Sequence, residues 1–126
     1  MNVHRTVPLL AVADIARSVA FYCDGLGFRV VNRWEPNGQL AWCWLARGQA
    51  ALMLQQATDE DPPPETWGHG IHLYFICDDA DALYSGITAR GIQASKPSVT
   101  FYGMNQTHLT DPDGYRLCFE TAVART

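Results

Sequence analysis

The sequence predicts an α+β fold made of two copies of one module, strand–helix–strand–strand–strand. Three observations predict it. A stiff, acidic, proline-rich stretch divides the 126 residues into halves of similar length. Each half opens on an apolar run followed by an aspartate suited to cap a helix, and Asp79 follows Asp14 by 65 residues. Each half then continues in short apolar runs separated by turn residues.

The elements follow in order. Val7–Ala13 (VPLLAVA) is apolar and ends at Asp14, so it reads as a buried strand. A helix follows from about Ile15 to Asp24, with Ile15, Val19 and Tyr22 at helical spacing on its inner stripe. Gly25 and Gly27 stop it. Phe28–Trp34 is a strand, Asn37-Gly38 a hairpin turn, Leu40–Leu45 the next strand and Ala50–Gln55 the last. In the second half, His72–Cys77 is a strand, Asp79 opens a helix to about Arg90, and Gly91 stops it. Short strands are expected near Gln93–Ala94 and Val99–Phe101. Met104–Thr110 and Tyr115–Glu120 form a hairpin around Asp111-Pro112-Asp113-Gly114. At the 65-residue offset His72 falls on Val7, and Gly91 lies one residue short of Gly27. The domain therefore spans 1–126, with module one at about 5–56, a linker at 57–70 (ATDEDPPPETWGHG) and module two at about 71–121.

Composition excludes several function classes. Apolar residues make up 48% and charged residues 17%, which is globular rather than disordered. A chain this long buries roughly two thirds of its unfolded surface and needs no disulfide or structural metal to fold. The net charge is -4 and no Lys/Arg run occurs, which argues against nucleic acid or an anionic membrane as partner. No apolar run reaches the roughly 18 residues of a membrane span, and Met1–Arg5 lacks the layout of a signal peptide. Cys23, Cys43, Cys77 and Cys118 form no C-x-x-C pair. They read as reduced, mostly buried thiols of a cytoplasmic protein.

Strand parity selects a face for chemistry. Leu117 and Phe119 pack under the helix, so Arg116, Cys118 and Glu120 face the other way. Placing Leu109 beside Leu117 in the hairpin brings Gln106 and His108 to the same side as Cys118 and Glu120. Trp34, Trp42, Trp44, Trp67, Phe101 and Tyr102 are many aromatics for a small domain, and Trp42 and Trp44 share one face of a strand. They read either as core or interface, or as a platform for a flat ligand. His69 and His72 are not a metal pair, because residues three apart on a strand point oppositely.

Three segments carry a family resemblance: VPLLAVADIARSVAFYCDGLGF (Val7–Phe28), YGM (Tyr102–Met104) and DPDGYRLCFE (Asp111–Glu120). The signature S-x-x-F-Y-x-D-x-L-G-F, followed about 80 residues later by D-P-D-G, resembles the vicinal oxygen chelate superfamily. That superfamily groups glyoxalase I, bleomycin-resistance proteins, fosfomycin-resistance thiol transferases and extradiol dioxygenases. The resemblance runs from about Val7 to Glu120. It implies paired βαβββ modules whose curved mixed sheets surround a cleft, and, for bleomycin-resistance proteins, a homodimer.

Enzymes of the superfamily hold a divalent metal on the cleft floor. Transferred onto this chain, the four ligand positions fall on Val7, near Met53, on His72 and on Cys118. Only His72 is an ordinary hard-metal ligand. Glu120 has the right parity but lies two residues, roughly 6.6 Å, beyond Cys118. His72, Cys118 and Glu120 form the fallback zinc set. The resemblance thus implies a metal-free member without cofactor that sequesters a small planar molecule, an antibiotic or a metabolite. The acidic net charge and the aromatics suit a cationic ligand. The expected lining is Trp34, Trp42, Trp44, Met53, His72, Tyr102, Gln106, His108, Cys118 and Glu120; the fosfomycin-resistance relatives contact substrate at the position of His108. The alternative is a metal-dependent lyase or thiol transferase of the glyoxalase type.

Overall fold

The structure, a computed structural model, describes residues 1–60 and 66–123. Asp61–Glu65, in the predicted linker, lie outside the described residues. The chain divides into two compact units, Met1–Pro64 and Glu65–Thr126. Among the described residues no helix is long and apolar enough to cross a membrane.

The first unit holds β1 (Leu9–Val12), α1 (Ile15–Val19), β2 (Arg29–Trp34), β3 (Trp42–Arg47) and β4 (Ala50–Gln56). The second holds β5 (His72–Ile76), α2 (Ala80–Ala89), β6 (Ser98–Val99), β7 (Met104–Thr110) and β8 (Arg116–Ala122). The sheet orders are β1-β4-β3-β2 and β5-β8-β7-β6. In each sheet the first strand runs parallel to the last and the other neighbours are antiparallel. The predicted module therefore occurs twice.

The two aspartates do what their positions predict. Asp14 Oδ1 accepts from the Arg17 amide at 3.2 Å, and Asp79 Oδ1 accepts from the Ala82 amide at 3.1 Å. Each satisfies a donor that the first helical turn leaves unpaired. The first helix is less regular than its periodicity predicts. After Val19 it widens into a π-helical turn over Ala20–Gly25, and Leu26 N–H bonds Phe21 O at 3.0 Å. The extra residue in the turn keeps Tyr22 and Leu26 fully buried, with Tyr22 edge-on to Phe28 at 5.9 Å.

Alternation along the strands builds each core. Leu10, Val12, Cys43, Leu45, Leu52 and Leu54 turn inward in the first unit, where α1 packs on β4. In the second unit Leu109, Leu117 and Phe119 are buried, α2 packs on β7 and β8, and Phe75 stacks on Phe119 at 4.9 Å. Each fully buried side chain of this size contributes about 1.5–3 kcal/mol.

Two loops are fixed by specific contacts. Asp111 Oδ1 accepts from the amides of Asp113 and Tyr115, both at 2.9 Å, and closes the D-P-D-G turn. Gly68, in the described part of the predicted linker, has φ +65° and lies so close to Tyr115 that a Cβ would meet the ring at 2.7 Å. Trp67 meets that ring edge-on at 6.2 Å, so this part of the segment is packed rather than free.

The strand expected near Gln93–Ala94 does not form. Ser95 Oγ accepts from His108 N–H at 2.8 Å, where a ladder carbonyl would stand, while Ser95 N–H donates to His108 O at 2.8 Å. A side-chain acceptor holds the segment beside β7 without continuing a ladder. The pairing strand is Ser98–Val99, and Phe101 lies in the turn beyond it, fully exposed.

Candidate functional site

In the first unit, burying Cys43, Leu45, Leu52 and Leu54 leaves Trp42, Trp44, Met53 and Gln55 on the opposite face of the sheet. The register sets their neighbours. Trp34 lies opposite Trp42, Trp44 opposite Met53, and Met53 opposite Leu9. A bulge between Val30 and Asn32 restores the parity that puts Trp34 on this side. Trp34 is 61% and Leu9 49% exposed. Aromatic rings and a thioether thus make one continuous surface. Arg5, which no spacing in the sequence singles out, lays its guanidinium over Trp44 at 5.4 Å from the ring centroid.

In the second unit the hairpin takes the register that sets Leu109 opposite Leu117. His108 then lies opposite Cys118 and Gln106 opposite Glu120, as parity predicts. β5 adds His72 opposite Arg116, Tyr74 opposite Cys118 and Ile76 opposite Glu120. Tyr74 and Ile76 are 50% and 73% exposed. Both belong to this face and were legible from the parity of His72, although the motifs draw no attention to them.

Gln106 organises the polar groups. Its amide Nε2 donates to Glu120 Oε1 at 2.8 Å and to the Tyr102 hydroxyl at 3.1 Å. Its Oε1 lies 3.1 Å from His108 Nε2. An amide oxygen only accepts, so His108 Nε2 carries the proton. Gln106 is buried, and four of the predicted lining residues, Tyr102, Gln106, His108 and Glu120, form one connected set. Tyr74 feels the same set: desolvation, then Cys118, Tyr102 and Glu120, push its phenol above the usual range.

Cys118 sits at the middle of this face, yet it is only 2% exposed. Burial, then Glu120 and Cys77, push its thiol up to about 11. At neutral pH it is a protonated thiol and a poor nucleophile, and as a soft donor it does not supply the hard ligand that this metal position takes in the enzymes. This bears on the divalent metal that superfamily enzymes hold. Val7 and Met53 lack a hard donor. His72, Cys118 and Glu120 belong to alternate register pairs of the parallel strands, spread along the sheet rather than gathered in one cluster. Among the described residues no three His, Cys, Asp or Glu side chains could hold a metal ion. The described residues do not offer a donor set that fits a resident divalent metal.

Comparison with known proteins fits this architecture. The Glyoxalase/Bleomycin resistance protein/Dioxygenase superfamily matches residues 3–119. The chain belongs to this superfamily. It is 30% identical over 118 residues to the uncharacterized protein YaeR of Escherichia coli K12, covering 86% of this chain and 88% of that one. It is 28% identical over 89 residues to a bleomycin resistance protein of Geobacillus stearothermophilus, covering 71% of this chain. The match spans 60% of that relative's length. A solved bleomycin-binding protein in complex with bleomycin has the same fold, with TM-score 0.70 at 22% identity, covering 98% of this chain and 100% of that one.

Two further side chains that sequence reasoning missed are structural. Gln56 Oε1 accepts from Ile15 N–H at 2.9 Å, and its Nε2 donates to Ala13 O at 2.8 Å and Ala57 O at 3.1 Å. Arg47 Nη1 donates to Leu26 O at 2.6 Å, closing the end of the π-helical turn. Both act over more than twenty residues of chain, so no local pattern announces them.

Proposed function

We propose that this protein binds a planar small molecule on the Trp34–Trp42–Trp44–Met53 face and sequesters it stoichiometrically, without metal, as a bleomycin-resistance-type binding protein. The observation that carries the reading is the register that sets three indoles and a thioether side by side on an otherwise alternating sheet. Such a surface stacks flat ligands and binds cations through the indole faces. The Arg5 guanidinium over Trp44, itself a planar cation, supports a cationic ligand. The bleomycin resistance relative and the bleomycin-binding protein of the same fold support the same class of ligand. In this reading the protein works as a homodimer, supported by the apolar side chains it leaves exposed, Trp34, Ile76 and Phe101 among them. Four free cysteines fit a reducing compartment, and the reading places the protein in the cytoplasm.

The test is a fluorescence titration of chelator-dialysed protein with metal-free bleomycin and with smaller planar cations. Saturable quenching of the indoles is expected, undiminished by chelator. Absence of quenching with every planar cation would overturn the reading, and so would quenching that requires added metal.

A further inference from the structure

A second site lies wholly within the second unit and has a different chemistry. A depression of about 400 Å³ is lined by His72, Arg116, Thr110, His108, Ser95 and Gln93, with Ala94, Leu109 and Leu117 completing the wall. That volume suits a small organic molecule or part of one. We infer that it is an oxyanion subsite, which takes a carboxylate or phosphate group of a small molecule on Arg116.

Four observations carry this. First, the register places Arg116 between His72 on β5 and Thr110 on β7, so three polar side chains stand in one row across three strands. Second, the lining contains no carboxylate, in a chain where Asp and Glu outnumber Lys and Arg by thirteen to nine. The nearest acid on the strand, Glu120, is four register pairs away and held by Gln106. Third, no carboxylate among the described residues forms an ion pair with Arg116. Its fork of donors is open to a ligand.

The fourth observation concerns the polarity of the remaining groups. Ser95 Oγ already accepts from the His108 amide at 2.8 Å, so its hydroxyl proton is left to donate. His108 Nε2 is committed to Gln106 Oε1, which fixes the ring where it borders the depression. Thr110 and Gln93 add a hydroxyl and an amide. The wall is therefore donor-rich around one permanent positive charge. A carboxylate or a phosphate is recognised by such a set, and an ammonium group is repelled by it. This inference is independent of what the aromatic face of the first unit holds.

The test is a titration of isotope-labelled full chain with phenyl phosphate, benzoate and benzylamine, followed by amide and arginine side-chain NMR shifts, in wild type and Arg116→Gln. Saturable shifts at Ser95, Thr110 and the Arg116 guanidinium are expected with at least one of the two anions, and the better anion identifies the group. Affinity should fall about ten- to a hundred-fold in Arg116→Gln, the loss of a charge-assisted bidentate contact. Arg116 is exposed, so the variant should keep its melting temperature, and His72→Gln provides a second, weaker perturbation. No saturable shift with either anion would overturn the inference. Equal binding by the Arg116→Gln variant, or equal binding of benzylamine at the same residues, would overturn it too.

Discussion

Arg5 covers one face of the Trp44 indole, with its guanidinium carbon 5.4 Å from the ring centroid. A planar cation thus already occupies part of the surface proposed to bind planar cations. Arg5 would compete with such a ligand for the same ring. Arg5→Ala should tighten binding of a planar cation by up to about fivefold, since an exposed cation–π contact is worth roughly 0.5–1 kcal/mol. Stability should fall by no more than that amount. Calorimetric titration of both proteins, with a urea melt of each, measures the two effects separately.

The aromatic row makes a sharper demand on individual indoles. Trp44 lies opposite Met53 and Trp42 opposite Trp34, on the side of the sheet away from Cys43, Leu45, Leu52 and Leu54. Trp44→Ala or Trp42→Ala should weaken a stacked ligand about tenfold or more. Trp67→Phe should not, because Trp67 packs edge-on against Tyr115 in the second unit. Dissociation constants for the three variants decide between a stacking platform and a generally sticky surface.

Gln56 is expected to matter for folding and not for binding. Its amide joins Ile15 N–H at the start of α1 to Ala13 O and Ala57 O. Gln56→Ala removes this part-buried bridge from the start of α1, at a cost of about 1 kcal/mol. The urea midpoint should drop while ligand affinity at saturating folded protein stays the same.

The buried thiols give the protein an alkaline limit. Burial pushes Cys43 and Cys118 from an ordinary 9.0 up to about 11 in each case. A thiol whose folded value is raised binds its proton more tightly in the folded state. Its contribution to stability is then fully present below about pH 9 and is lost as pH rises from 9 towards 11. The melting temperature should fall over that window, less steeply in Cys118→Ser after allowance for its own destabilisation. At neutral pH, Cys118 should react with a thiol reagent more slowly than the partly exposed Cys23 and Cys77.

Much of the fold was legible because its signals are local. Asp14 and Asp79 announce two helix starts, and Asp111 to Gly114 announces the hairpin that carries His108 and Cys118. The 65-residue offset holds in the strands as well. Leu9 pairs with Met53 as Tyr74 pairs with Cys118, so Met53 and Cys118 are equivalent positions of the two modules. The Leu109–Leu117 register was legible because the other pairing sets an apolar residue against Arg116. The Trp42–Trp44 register was not, because a seven-residue connection around Asn37 and Gly38 and the β2 bulge both shift it.

What escaped the sequence is side chains acting at a distance. Arg5 on Trp44 and Gln56 on Ile15 join segments with about forty residues between them. Ser95 replaces a ladder carbonyl with its hydroxyl, so a segment that reads as a strand runs beside β7 without becoming one. The π-helical turn of α1 has no marker in the spacing of Ile15, Val19 and Tyr22; it follows from packing Tyr22 against Phe28.

The most direct test of the central claim is a calorimetric titration of chelator-dialysed protein with metal-free bleomycin, run beside Trp44→Ala. Saturable, stoichiometric binding by the wild type that weakens about tenfold or more in the variant is the predicted result. Binding that appears only after a divalent metal is restored, or none at all with bleomycin and other planar cations, would contradict the account.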